Sequence, residues 1–280
     1  MDLFFLFGGL AVLAVALRDV LAVTIGSTSR ATLTGLVARG AFAAMRAAGR
    51  TGPTRAVTAV AGVAVMTLVG VVWIGSVWIG WSMIFAASPD ALTLSTEGAE
   101  PEGVDAIAHA GHLLSTLGGA RTSPGGPVWG LAGALAGVTG MVVLTLSVSF
   151  FLSVRQTVQA GRAFAMLRDV DAHDPDAALP ALADLVSALN TAPFALYYGT
   201  ERVERQLPAA LLAHGRAAYA DGGAAWRRTR AFLEDLPHLE AGPEQTDAAF
   251  LRRMERWADR HTVVSLRSAG MIGDRVTAGA

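Results

Sequence analysis

The chain lacks cysteine and lysine and is poor in charge: its 280 residues hold 22 basic side chains, all arginine, and 23 acidic ones, so that 16% are charged. The absent cysteine excludes disulfides, thiolate chemistry and Cys-ligated zinc. The absent lysine, in a chain rich in alanine and glycine, reads as a codon bias and identifies no partner. A net charge of −1 gives no reason to expect nucleic-acid binding. There is no phosphate-binding glycine loop, nucleophile elbow, zinc-protease signature or pair of carboxylates within the apolar runs, so an enzyme is not expected. Soluble domains carry about 25% charged residues, so the deficit points to a membrane protein, as does the mean hydropathy of +0.45.

What the chain does have is long uncharged runs. Residues 56–87 and 128–154 contain no charge over 32 and 27 positions. As helices they would reach roughly 48 and 40 Å, beyond the roughly 30 Å of a bilayer core. A third run, 3–25, is apolar except for the adjacent Arg18 and Asp19. It lacks a basic leader and a clear cleavage site, so a retained span is expected rather than a signal peptide. Between the first two runs lie Arg30, Arg39, Arg46, Arg50 and Arg55 with no acid, whereas the 88–127 loop holds Asp90, Glu97, Glu100, Glu102 and Asp105 against Arg121 alone. By the positive-inside rule the first loop is cytoplasmic, the N-terminus and the acidic loop lie outside, and everything after Val154 is inside. The expectation is a multi-pass protein of the inner (plasma) membrane.

Residues 1–154 thus form a membrane domain and 155–280 a cytoplasmic helical tail, with 15 arginines against 16 acids. In "EQTDAAFLRRMERWADRH" the residues Phe250, Leu251, Met254, Trp257 and Ala258 fall on one helical face, and Arg252, Arg253, Glu255, Arg256, Asp259 and Arg260 on the other. Prolines at 175, 180, 193, 208, 237 and 243 cut the tail into short helices, and the end, "GMIGDRVTAGA", is expected to fray. In the third span Gly126, Gly130, Gly133, Gly137 and Gly140 draw a seam down one face, which suits close helix packing or a hinge. Trp73, Trp78 and Trp81 lie toward the outer end of the second span, where an aromatic anchoring belt is expected.

Other candidate sites are weaker. His109 and His112 are three apart, a spacing that offers two metal ligands with no third nearby, so packing or water-facing roles are expected. Asp169, Asp171, Asp174 and Asp176 with His173 form an acidic cluster lacking the glycine and distal glutamate of a calcium loop, and a solvated linker is the simpler reading. Arg18 and Asp19 make the one ion pair the spans offer, close enough to the cytoplasmic side for Arg18 to snorkel. Tyr197 and Tyr198 read as half-buried residues of a helical bundle.

The stretch "HLLSTLGGARTSPGG", His112 to Gly126, lies between two spans and follows a segment from Asp105 to Leu114 that is too short to cross a membrane as a helix. With "STLGGARTSPGGP" and "VTGMVVLTLSVSFFLSV", the chain resembles the bacterial two-transmembrane-type potassium-channel family over residues 104–158, and in layout elsewhere. The resemblance implies an all-α membrane protein of three transmembrane helices plus a re-entrant pore helix, the helix and filter-like loop spanning 104–124. It implies a homotetramer whose pore is lined by Thr116, Leu117, Gly118, Gly119 and Ala120, carbonyl oxygens replacing the hydration shell of a monovalent cation, with no other cofactor. Thr116, Leu117, Gly118 and Pro124 match the family pattern.

Three positions depart from it. Gly119 stands where the family has an aromatic and Ala120 where it has a second glycine; a non-glycine residue held left-handed costs roughly 1–2 kcal/mol. Arg121 stands where the family has an acid and places a guanidinium at the pore mouth, with the upstream acids farther from the axis. These departures imply a cation pore with altered or lost potassium selectivity. The alternative is a non-conducting membrane scaffold or sensor that keeps the channel architecture, its tail binding an unidentified partner.

Overall fold

The computed structural model describes all residues except 25–32, 52–53, 96–99, 118–120, 171–175, 241, 243–245 and 273–280. Among the described residues the fold is all-α in character, 79% helical with nine α-helices. In chain order these are α1 (Leu3–Thr24), α2 (Leu33–Thr51), α3 (Thr54–Ala86), α4 (Gly103–Leu114), α5 (Pro127–Val170), α6 (Leu179–Thr191), α7 (Leu207–Asp221), α8 (Gly223–Glu234) and α9 (Asp247–Arg260). A two-stranded antiparallel ribbon, β1 (Leu92–Leu94) with β2 (Thr122–Pro124), is added between α3 and α5.

Three helices are long and apolar enough to cross a membrane: Leu3–Thr24, Ala56–Ala86 and Pro127–Arg168 within α5. The first two agree with the runs expected at 3–25 and 56–87. The third does not stop where the uncharged run stops at Val154. Arg155, Arg162 and Arg168 are good helix formers and no proline intervenes, so α5 continues for 44 residues in all.

The chain divides into two compact units, the first made of Met1–Thr34 and Val69–Phe150, the second of Gly35–Leu68 and Phe151–Ala280. The expected boundary between 154 and 155 therefore describes the order along the chain but not the packing. Residues 35–68 group with the tail because α2 supplies contacts there: Phe42 lies on Tyr197 with ring centroids 4.8 Å apart, and Arg46 pairs with Asp259 at 3.0 Å.

In the first unit, α1 and the C-terminal half of α3 run close together at small residues. A Cβ on Gly9 would stand 2.7 Å from the Gly80 carbonyl oxygen, and one on Gly80 would stand 2.7 Å from Leu13 Cγ. Trp73 and Trp81 are buried, at 1% and 7% exposure, while Trp78 is 42% exposed. The anchoring belt expected of the three tryptophans is thus reduced to one; Trp73 packs on Phe150 at 5.2 Å and Trp81 on Phe85 at 6.0 Å.

In the second unit, the tail helices bury an apolar core. Phe250, Met254, Trp257 and Ala258 of α9 are fully buried, and α9 packs on α7, where a Cβ on Gly215 would lie 3.4 Å from Met254 Sδ. Arg253, expected on the polar face, is also buried, with its guanidinium over the Phe250 ring at 5.2 Å. The prolines at 180 and 208 begin helices α6 and α7 rather than merely separating them, since the first helical turn has no partner for an N–H there. Of the acidic cluster, Asp176 pairs with Arg228; residues 171–175 lie outside the described residues, as do 273–280 of the terminal stretch expected to fray.

Candidate functional site

The loop singled out by the sequence is held by α4 and the ribbon. α4 begins after Glu102, whose backbone N–H donates to Asp105 Oδ2 at 3.0 Å, so an acid in the first turn satisfies one orphan donor and complements the helix dipole. The helix ends in a cap in which Thr116 N–H donates to the Leu113 carbonyl at 3.1 Å and Leu117 N–H to the His112 carbonyl at 3.0 Å. This bond pattern is a Schellman motif, which turns on a left-handed residue, usually glycine. Here that residue is Thr116, with φ of +62°. A β-branched side chain in this region costs roughly 1–2 kcal/mol, so the threonine is held there by something other than local preference.

α4 reaches α5 through the glycine seam. A Cβ on Gly140 would lie 2.7 Å from the Leu114 carbonyl oxygen and 2.8 Å from its Cα; on Gly133 it would lie 3.5 Å from Leu113 Cδ1 and on Gly137 3.7 Å from the Leu113 carbonyl. Gly126 and Gly130 meet nothing within 4 Å. Gly133, Gly137 and Gly140 therefore face the C-terminal end of α4, and close packing demands a glycine at Gly140, where a side chain would collide with the Leu114 backbone.

The far side of the loop is pinned as well. β2 pairs Thr122 with Leu94 and Pro124 with Leu92, and the Ser95 N–H donates to the Arg121 carbonyl at 3.0 Å. His109, 1% exposed, bonds through Nδ1 to Thr122 Oγ1 at 2.9 Å and meets the Phe85 ring edge-on at 4.9 Å. His112 is exposed and lines a cavity of about 680 Å³ with Trp78, Gly111 and Leu144. One histidine is buried and the other exposed, and among the described residues no group of three or more His, Cys, Asp or Glu side chains forms a metal site.

Of the expected lining residues, Thr116 and Leu117 are described and exposed, Leu117 at 78%. Gly118, Gly119 and Ala120 lie outside the described residues. Arg121 lies 3.7 Å from Asp105, its own side chain 74% exposed and the carboxylate 9%. One of the upstream acids thus returns to Arg121, because Asp105 lies in the first turn of α4 while Arg121 directly precedes β2.

A second buried polar cluster was not foreseen. Asp19, 2% exposed, accepts from the backbone N–H of Thr34 at 3.1 Å, from the Thr34 hydroxyl, and from Trp73 Nε1 at 3.2 Å. Arg18 is exposed, so the pair expected between neighbours is replaced by a carboxylate that caps the start of α2. A charge inside an apolar run was the available signal; its partners, 15 and 54 residues away, were not legible.

No protein-family model matches the chain, and no solved structure matches it. The chain is similar to a protein of Bacillus subtilis (strain 168) named uncharacterized membrane protein YdjJ, with 33% identity over 110 residues. The matched stretch covers 39% of this chain and 32% of that relative, so it spans about a third of the relative's length. With three apolar helices of crossing length, that likeness decides the class. The chain is a membrane protein. It sits in a lipid bilayer, and the exposed apolar side chains on α5, including Leu131, Val138, Met141 and Leu144, are those that a bilayer or another helix would cover.

Proposed function

We propose that the chain is a potassium-channel-like, pore-forming protein, assembled as a homotetramer, with the loop Thr116–Ala120 as the ion path and altered or lost potassium selectivity. The observation that carries this reading is the seating of α4. A helix too short to cross stands between two that do, its carbonyl end packed on the glycines of α5 and opening directly into the loop. The partial negative charge at that end favours a monovalent cation nearby. The left-handed Thr116 supports the reading, because backbone strain of this kind collects at functional loops and a glycine would make the same cap without it.

α2 and the tail share one unit, while in the other the Asp2 N–H donates to the Ala87 carbonyl. With the arginines of α2, this supports an N-terminus outside and a cytoplasmic tail at the inner membrane. A second reading, a non-conducting scaffold or sensor, is favoured by Arg121. Asp105 lies beside it, yet the Arg121 side chain stays 74% exposed, and each subunit would still present a solvated cation at the mouth.

Thallium influx into proteoliposomes of the full chain tests both. The pore reading expects influx with weak discrimination between potassium and sodium, and a severalfold change in that discrimination for Thr116→Gly, which keeps the cap. Absence of influx at every pH, voltage and divalent concentration, with influx appearing in the triple variant Gly119→Tyr, Ala120→Gly, Arg121→Asp, sinks the pore and leaves the scaffold. A monomeric mass in native-detergent measurements sinks the tetramer.

A further inference from the structure

Beyond its last uncharged turn, α5 carries a stripe that changes character along its length. Phe151, Arg155, Val158, Gln159 and Arg162 recur at helical spacing on one face, apolar at the start and cationic at the end. This face lines a cavity of about 500 Å³ whose apolar wall includes Val63 and Met66 of α3 and Phe151 of α5, and whose polar end holds Arg155, Gln159, Arg162 and Tyr198. Arg162 also borders an adjoining cavity of about 220 Å³, where Arg202 and Arg205 stand with Thr200 and one acid, Glu201. Arg155 and Arg162 are exposed, and among the described residues neither makes an ion pair.

The wall opposite α5 is built for close approach. A Cβ on Gly62 would stand 2.5 Å from Tyr198 Cγ, and a Cβ on Gly199 would collide with the Thr58 side chain. Two glycines thus allow the 198–199 turn to lie directly on α3, which brings Tyr198 to the mouth of the groove beside the α5 arginines. The rest of the tail's chemistry does not require this.

We propose that this groove binds one anionic phospholipid per chain, its phosphodiester held by Arg155 and Arg162 with Arg202 and Arg205 as the outer cationic rim, and its acyl chain against Val63, Met66 and Phe151. The chemistry recognised is a phosphate anion, for which the planar guanidinium fork is suited. A lipid source fits better than a soluble one because the cations begin where the uncharged run ends, which is where headgroup meets acyl chain, and because a soluble phosphate would gain nothing from the apolar wall. The inference rests on the chain being a membrane protein and is independent of whether it conducts.

The test is native mass spectrometry of the delipidated full chain in non-ionic detergent, titrated with dioleoylphosphatidylglycerol or dioleoylphosphatidylcholine. One phosphatidylglycerol per chain is expected, at about tenfold lower concentration than phosphatidylcholine. Arg155→Gln with Arg162→Gln should remove that preference, and Arg155→Lys with Arg162→Lys should retain most of it. Arg252→Gln with Arg256→Gln, which removes the same charge from the exposed face of α9, should leave it intact. Equal binding of the two lipids by the native chain overturns the proposal, as does an equal loss in the α9 pair. Full displacement of phosphatidylglycerol by millimolar inorganic phosphate overturns the lipid source. Circular dichroism of each variant separates loss of the site from loss of the fold, and the lysine pair and the native lipid comparison stand if the glutamine pair does not fold.

Discussion

The N-terminal half of α5 and the tail helix α9 both carry a stripe of residues at helical spacing, and the two stripes mean opposite things. On α9 the stripe is apolar, and it is buried: Phe250, Met254 and Trp257 have no exposed surface, while Arg252 and Arg256 face outward. On α5 nearly everything is apolar, and large side chains such as Leu131, Val138 and Met141 are more than half exposed. There the informative stripe is the glycine one, because α4 approaches along Gly133, Gly137 and Gly140. In water, burial of apolar surface decides which face turns inward. In a bilayer the lipid is as apolar as leucine, so no such force operates and shape decides instead.

That contrast can be broken most sharply at Trp257. Its side chain is fully buried and its Nε1–H donates to the Pro237 carbonyl at 2.9 Å. Trp257→Ala should destabilise the tail by about 3–5 kcal/mol, seen as lost hydrogen-exchange protection in α7, α8 and α9 of the full chain, with the α4 region unchanged.

A pH change should also act on this unit. Burial, with a smaller contribution from Arg168, pushes the His214 imidazole down to about 4, and burial does the same for His261, also to about 4 despite its bond to the Trp257 carbonyl. Each is neutral when folded and takes up a proton near pH 6.5 when unfolded, so the unfolded chain binds more protons between those values. The tail's stability is therefore complete above pH 6.5 and falls as pH drops from 6.5 toward 4, by about 3 kcal/mol for His214, which is 2% exposed. A urea titration of tail fluorescence across that range measures it, and His214→Phe should flatten the slope.

The smallest effect sharpens the α5 side. Gly140→Ala places a methyl 2.7 Å from the Leu114 carbonyl and should cost roughly 1–3 kcal/mol, read as faster exchange in 103–117. Gly130→Ala, with open space around it, should change stability by less than about 0.5 kcal/mol. If the two variants behave alike, the seam does not seat α4 and the contrast between the stripes fails.

Much of the site's framework was legible along the chain: a short helix ending at Leu114 and the seam on α5 both follow from spacing and residue type. The bonds that tie them together were not. Nothing in the spacing says that Asp105 returns to Arg121, that His109 bonds Thr122, or that the left-handed residue is Thr116, since each depends on where a loop places residues separated along the chain. The same holds for Trp73 and Trp81, whose position near a span end suited a belt and whose neighbours bury them instead.

By itself the sequence determined the three spans, the helical tail and the polar face of α9, because uncharged length and a 3.6-residue period are local properties that bilayer and water read directly. Only the tertiary structure decided that α2 joins the tail, that Asp19 caps α2 and bonds Trp73, which glycines admit α4, and that Tyr198 comes to the arginines of α5. These are meetings between distant segments, and close packing chooses them by fit between shapes and unsatisfied polar groups, which no single segment carries.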